Sequence, residues 1–196
     1  MRLFEDANHG PVIGSAGDVM QHGKCNAVFS RCEHYRYTLS RHWDPTLPVV
    51  AFIGLNPSTA DKTTNDNTVT RCINFAIRWG MGSYVMLNAY AFRATKPENM
   101  KLGRRFDDSP IVTSDPTGPR NDEAIRRVTS LALRSGGIVV AAWGNHCDEA
   151  RAIRILSLIN GKVHCLDTNM SGAPKHPLYV KNNTPPQLYW RPSLHS

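Results

Sequence analysis

The sequence predicts a three-layer α/β/α sandwich, with a short, mainly parallel sheet and an N-terminal β-hairpin. Three observations carry this expectation. Residues 49–55, 84–89, 138–143 and 163–166 are apolar runs of strand length, the pattern of strands buried on both faces. Segments with helical spacing of apolar residues separate them, at 68–79, 121–134 and 148–159. The resulting β-α-β-α-β-α-β order calls for right-handed crossovers that place helices on both sides of one sheet.

Residues 1–23 are rich in Gly, His and Asp and lack a period, so they are expected to be a flexible leader before a single domain over 24–196. Residues 26–30 and 35–43 read as a hairpin. In the second of these, Tyr35, Tyr37, Leu39, Arg41 and Trp43 alternate with Arg36, Thr38, Ser40 and His42, which predicts a half-buried strand with the first set inward. Residues 49–55 form the first core strand. The helix at 68–79 buries Val69, Cys72, Ile73, Ala76 and Ile77; Asp66 or Asn67 can cap its start, and Gly80 or Gly82 its end. Residues 84–89 form the second core strand. The long polar segment 93–120 holds four prolines and is of the length used for functional or mobile loops. The helix at 121–134 directs Ala124, Ile125, Val128, Leu131 and Ala132 inward and ends at Gly136-Gly137. It leads to a third strand, a helix ended by Asn160-Gly161, and a fourth strand. From Thr168 onward the tail reads as loop.

The chain has 196 residues, enough for one domain with a real core. No apolar run approaches the ~20 residues of a membrane span, and the N-terminus lacks the apolar core of a signal peptide. A cytosolic monomer with no membrane association is expected. Five cysteines, an odd number without CxxC pairs, argue against a disulfide framework or a standard zinc site. No metal and no cofactor are expected. The net charge of +7 is concentrated late: the last 46 residues hold six basic residues and one acid. Such a local excess suits an anionic partner such as DNA or a nucleotide.

The motifs for dinucleotides, P-loop phosphates, serine hydrolases and zinc peptidases are absent. The polar strand ends carry the chemistry instead, because ligands of open α/β sheets bind beyond the carboxyl ends of strands. They are Gly54-Leu55-Asn56-Pro57-Ser58-Thr59-Ala60-Asp61, then Asn88, then Trp143-Gly144-Asn145-His146, where Asn145 reads best as a helix cap. A loop cluster, Lys175-His176-Pro177-Leu178-Tyr179, adds a positioned histidine.

The order and spacing of these clusters over residues 48–180 resemble the uracil-DNA glycosylase superfamily. There, a first strand ends in a Gly-x-x-Pro loop, a later one in Leu-Leu-Asn, a third runs into Trp-Gly, and a last loop carries His-Pro. This chain has Gly54-Leu55-Asn56-Pro57, Met86-Leu87-Asn88, Trp143-Gly144 and His176-Pro177-Leu178. A stronger resemblance, over nearly the whole chain, is to a bacterial and phage family catalogued as domain of unknown function 1643. Its hallmarks look like Tyr35-Arg36-Tyr37, Leu55 to Asp61, Trp79-Gly80, Asn88 to Thr95 and His176 to Tyr179.

The glycosylase resemblance implies a fold and an activity: hydrolysis of the N-glycosidic bond of a base, natural or modified, in DNA. It implies Asn56, with Asp61, as holders of the attacking water and His176 as donor to the departing base. Asn88 would read the base edge within a pocket shaped by Gly54 and Pro57, with Tyr90 or Phe92 stacking on the base. Ser58, Thr59, Arg93 and Lys175 would contact phosphates. The chain departs from the best-known glycosylases in having Asn56 where they have Asp, and in lacking Ser after His-Pro. Two other classes stay open: a hydrolase or transferase of free nucleotides or nucleosides with 93–120 as a lid, and a non-catalytic nucleic-acid binder of the same fold.

Overall fold

A computed structural model describes residues 13–94, 100 and 115–190. The elements run α1 (Ala16–His22), β1 (Lys24–Phe29), β2 (Arg36–His42), β3 (Val49–Gly54), α2 (Asn67–Arg78), β4 (Ser83–Asn88), α3 (Asn121–Arg134), β5 (Ile138–Ala141), α4 (Glu149–Ser157), β6 (Val163–Cys165) and β7 (Gln187–Trp190). Short 3-10 turns follow β5 at Gly144–His146 and precede β7 at Pro177–Tyr179. The chain is a mixed α/β sandwich. Among the described residues the strands form one seven-stranded sheet in the order β1-β2-β4-β3-β5-β6-β7.

The four central strands, β4, β3, β5 and β6, are parallel, as their continuous apolar sequences predict. The hairpin does not stand apart. Its β2 joins the sheet antiparallel to β4, and β7 pairs antiparallel with β6 at the opposite edge. The strand β7 lies in the tail expected to be loop. Four residues carrying Leu188, Tyr189 and Trp190 are too few for a period to emerge, and Pro185-Pro186 precede them.

Residues on β3 alternate between two cores. Ala51 and Ile53 pack with α3 and α4 through Ile125, Ala132, Ile155 and Leu158. Val50 and Phe52 pack on the other face with Val19, Val69, Cys72, Ile73 and Ala76 of α1 and α2. Phe52, Ile53, Ile73 and Ile155 are fully buried, each contributing about 1.5–3 kcal/mol.

Part of the expected leader is helical. Ser15 Oγ caps α1 by accepting the Asp18 N–H, Ala16 N–H donates to Asn74 Oδ1 at 3.0 Å, and Ala16 and Val19 are buried against α2. Seven residues with two apolar anchors are too few for the sequence to announce. Residues 1–12 and most of the 93–120 segment, with its lid expectation, lie outside the described residues.

The strict alternation expected for β2 is also corrected. Phe29 pairs with Arg36 and Val28 with Thr38, so Tyr37 is an extra residue, a β-bulge. The bulge turns Arg36 to the same face as Leu39 and Arg41 and leaves Tyr37, Thr38 and Ser40 together on the other. Arg36 is thus buried rather than outward.

Candidate functional site

The chain order places β3 between β4 and β5, so successive crossovers leave it in opposite directions. At such a switch point the loops part and a crevice opens at the carboxyl ends of the strands. Here it is a cleft of about 600 Å³, within the range of small-ligand sites. Gly54, Leu55, Asn56 and Ser58 line it from β3, Met86 and Asn88 from β4, and Trp143, Gly144, Asn145 and His146 from β5. The first turn of α2, Asp66 to Val69, forms another side, joined by Arg36, Asn169, His176 and Tyr179. Asn56, Asn88 and His176, from distant parts of the chain, therefore meet in one cleft.

Asn88 is held tightly. Its backbone carbonyl accepts a bond from Asn121 Nδ2 at 3.0 Å, and the next carbonyl, Ala89 O, accepts from Asn121 Nδ2 and from Arg151 Nε at 2.7 Å. A Cβ on Gly54 would sit 3.2 Å from Asn88 Oδ1, so glycine is what lets the amide approach the first strand. Asn88 is 2% exposed, and its Nδ2 has no hydrogen-bond partner. Such an orphan donor costs about 1–3 kcal/mol, which a ligand acceptor would offset.

Asn56 donates through Nδ2 to Ala94 O at 2.6 Å and to Pro57 O at 3.2 Å, clamping its loop to the chain beyond β4. Its Oδ1 is the atom left to face a ligand or water. Gly144, with φ +70°, makes the turn at the end of β5, and its N–H donates to Pro174 O at 2.9 Å. That bond carries the His176 loop to the cleft. Leu178 N–H donates to His176 Nδ1 at 3.4 Å, so the ring's proton sits on Nε2. Burial lowers the His176 pKa below its usual 6.5, and nearby Asp66 opposes the shift. The ring is neutral at pH 7.

The sign fixes a prediction. Below pH 6.5 the unfolded chain binds a proton at this histidine that the folded one refuses, so His176 makes acidification destabilising. By NMR, His176 should titrate below 6.5 in the folded protein, and Asp66→Asn should lower the midpoint further. A midpoint at or above 6.5 would show that the ring is not desolvated.

Several sequence-derived candidates lie elsewhere. Asp61 does not line the cleft; its Oδ1 accepts from Thr63 N–H, Thr63 Oγ1 and Thr64 N–H in a tight turn, at 2.8–3.0 Å. The carboxylate that lines the cleft is Asp66, whose Oδ1 caps α2 at Val69 N–H. Phe92 is fully buried edge-on to Tyr35, and Tyr90 exchanges bonds with Asp148 at the start of α4. Neither ring reaches the cleft. The aromatic side chain on its rim is Tyr179, 80% exposed, with its ring 5.8 Å from that of His176.

Of the residues assigned to phosphates, Ser58 lines the cleft, while Thr59 is exposed outside it. Arg93 stacks its guanidinium over Phe29 at 4.9 Å and donates to Glu33 O. Lys175 is ion-paired with Asp167. Pro57 is buried beneath the loop. Asn145, expected as a helix cap, lies in the 3-10 turn and accepts from Asn169 Nδ2 and Ser171 Oγ; Asp148 takes the cap position of α4.

The residues missed by sequence reasoning are Arg36, Tyr179 and Asn121. Tyr179 stood in view within His-Pro-Leu-Tyr. Arg36 stood in view within Tyr35-Arg36-Tyr37, but a regular period sends it outward.

Among the described residues no group of His, Cys, Asp and Glu is arranged to hold a metal ion, and no helix is long and apolar enough to cross a membrane. No curated protein and no solved structure matches the chain. A family model does, over residues 36–178, a span that contains every cleft-lining residue except Tyr179; the chain belongs to the family described as "Protein of unknown function (DUF1643)".

Proposed function

We propose that the cleft receives a base turned out of a DNA strand and that its residues hydrolyse the N-glycosidic bond. The observation that carries this reading is the orphan amide of Asn88, an enclosed donor with its carbonyl beside it, in one cleft with the neutral His176. A side-chain amide offers the paired donor and acceptor that a base edge needs. A base within a stack cannot reach such a cleft, so the nucleotide must be flipped. Tyr179 on the rim supplies a stacking face.

In the reaction, a water oxygen bonds to the sugar C1′, the C1′–N bond breaks, and its electron pair leaves on the base. Nε2–H of His176 donates to the base oxygen that gains charge, a preorganised role. Asn56 Oδ1 accepts from the attacking water, with Asp66 as the carboxylate of the same cleft. The proton lost by water neutralises the departing base.

The test is a mass-spectrometric screen for free bases released from oligonucleotides carrying varied modified nucleotides, run beside the corresponding mononucleotides. Release from oligonucleotides, abolished by Asn88→Ala, is expected. Release from mononucleotides alone would make the protein a nucleotide hydrolase. Tight oligonucleotide binding with no base released from any substrate would make it a binder.

A further inference from the structure

One side of the cleft, where Arg36 of β2 meets the start of α2, holds donors that the chemistry above does not use. The helix α2 has 12 residues, and its first turn lines the cleft. Asp66 takes the Val69 N–H, and Thr70 N–H bonds to Asp66 O, which leaves the N–H groups of Asn67 and Thr68 without helical partners. The positive end of the helix dipole is directed at the same space.

Arg36 lines that cleft as well. It is 2% exposed, one terminal nitrogen donates to Ala60 O, and its Nε has no hydrogen-bond partner. Among the described residues no carboxylate lies within ion-pair distance of it. Burial lowers its pKa to about 10, so it is charged at neutral pH. A buried cation with a spare donor, beside two spare backbone donors, is the chemistry of an oxyanion site.

We propose that Arg36 and the N-terminus of α2 form a phosphodiester-binding subsite, which takes the backbone phosphate adjacent to the flipped base. The phosphate source rests on the nucleic-acid reading above. The charge balance selects the diester. Arg36 contributes +1 and Asp66 −1, and the helix end adds roughly +0.5. A phosphodiester, with one charge, is better matched to this small surplus than a terminal phosphate carrying about −1.5 to −2. Asp66 thus acts as a discriminator: it caps the helix and repels a doubly charged group.

The experiment is a ¹⁵N NMR titration of the full chain at constant ionic strength and pH 7.5. Dimethyl phosphate, inorganic phosphate and thymidine 5′-monophosphate are the probes, and the Asn67 and Thr68 amides are followed. Saturable shifts with dimethyl phosphate, at lower concentration than with inorganic phosphate, are expected. Arg36→Gln keeps a donor for Ala60 O but removes the charge, and should weaken binding about 10–100-fold; Arg36→Lys should recover part of it.

Should Arg36→Gln not fold, Asp66→Asn tests the same subsite. Asparagine still caps the helix, and loss of the negative charge should tighten both phosphates, the dianion more. Absence of saturable shifts, or indifference of binding to both variants, would overturn the subsite. Tighter binding of inorganic phosphate than of dimethyl phosphate would overturn the diester assignment. Base release is not read here, so a phosphate site without glycosylase activity, or the reverse, is directly distinguishable.

Discussion

His176→Ala is expected to slow single-turnover base release by about 10²–10³-fold, the usual effect of losing one preorganised donor to a developing charge. Affinity for the same oligonucleotide should change far less, because the bond from Nε2 is stronger in the transition state than in the bound substrate. Thermal melting should hardly move: the ring lies on the cleft wall, and among the described residues its hydrogen bond is the long one from Leu178 N–H. Rate, affinity and melting are measured on one preparation. A parallel fall of rate and affinity would make His176 a binding residue. A collapse in melting would make it a structural turn histidine.

The second large effect is on stability. Arg41 is fully buried, and its guanidinium donates to Asn65 Oδ1 at 2.8 and 3.1 Å, to Asp61 O at 2.6 Å and to Ser40 O at 3.0 Å. It fastens the 61–65 turn, and with it the start of α2, to the sheet. Arg41→Met fills the volume but leaves those acceptors unpaired, at about 1–3 kcal/mol for each one that water cannot reach. A total loss of roughly 2–4 kcal/mol is expected, or about 5–15 °C in melting temperature for a chain of this size. Hydrogen exchange at Asn67 and Thr68 should accelerate with it. An unchanged melting curve would show that the network contributes nothing to stability.

Much of the central architecture was legible because its periods are unbroken. The apolar runs that became β3, β4 and β5 and the spacing of α2 and α3 are long enough to overrule local noise. The convergence of Asn56, Asn88 and His176 followed from strand-end position and motif order. The rest depended on events that leave no period. One inserted residue at Tyr37 reverses the face of Arg36, so the cation of the cleft reads as solvent-facing in the sequence. Asp61 and Asp66 are both acids in one loop, and only the turn closed by Thr63 and Thr64 decides which of them reaches the cleft. Tyr90 and Phe92 lie just beyond β4 like pocket residues, yet Tyr90 is claimed by Asp148 and Phe92 by the apolar core around Tyr35.

The tail that delivers His176 and Tyr179 is strapped across α2: Arg71 donates to Val180 O and Arg78 to Asn182 O. These contacts join residues more than 100 positions apart. In folding terms, such closures come late, because the loop entropy must be spent before any contact rewards it. On the ribosome, the segment 176–182 emerges only after β3, α2 and β4 have been synthesised. Strands β1 to β6 and their helices can form while this wall of the cleft is still missing, so competence for ligand arrives with the tail, in the same late stage that adds β7 to the sheet edge.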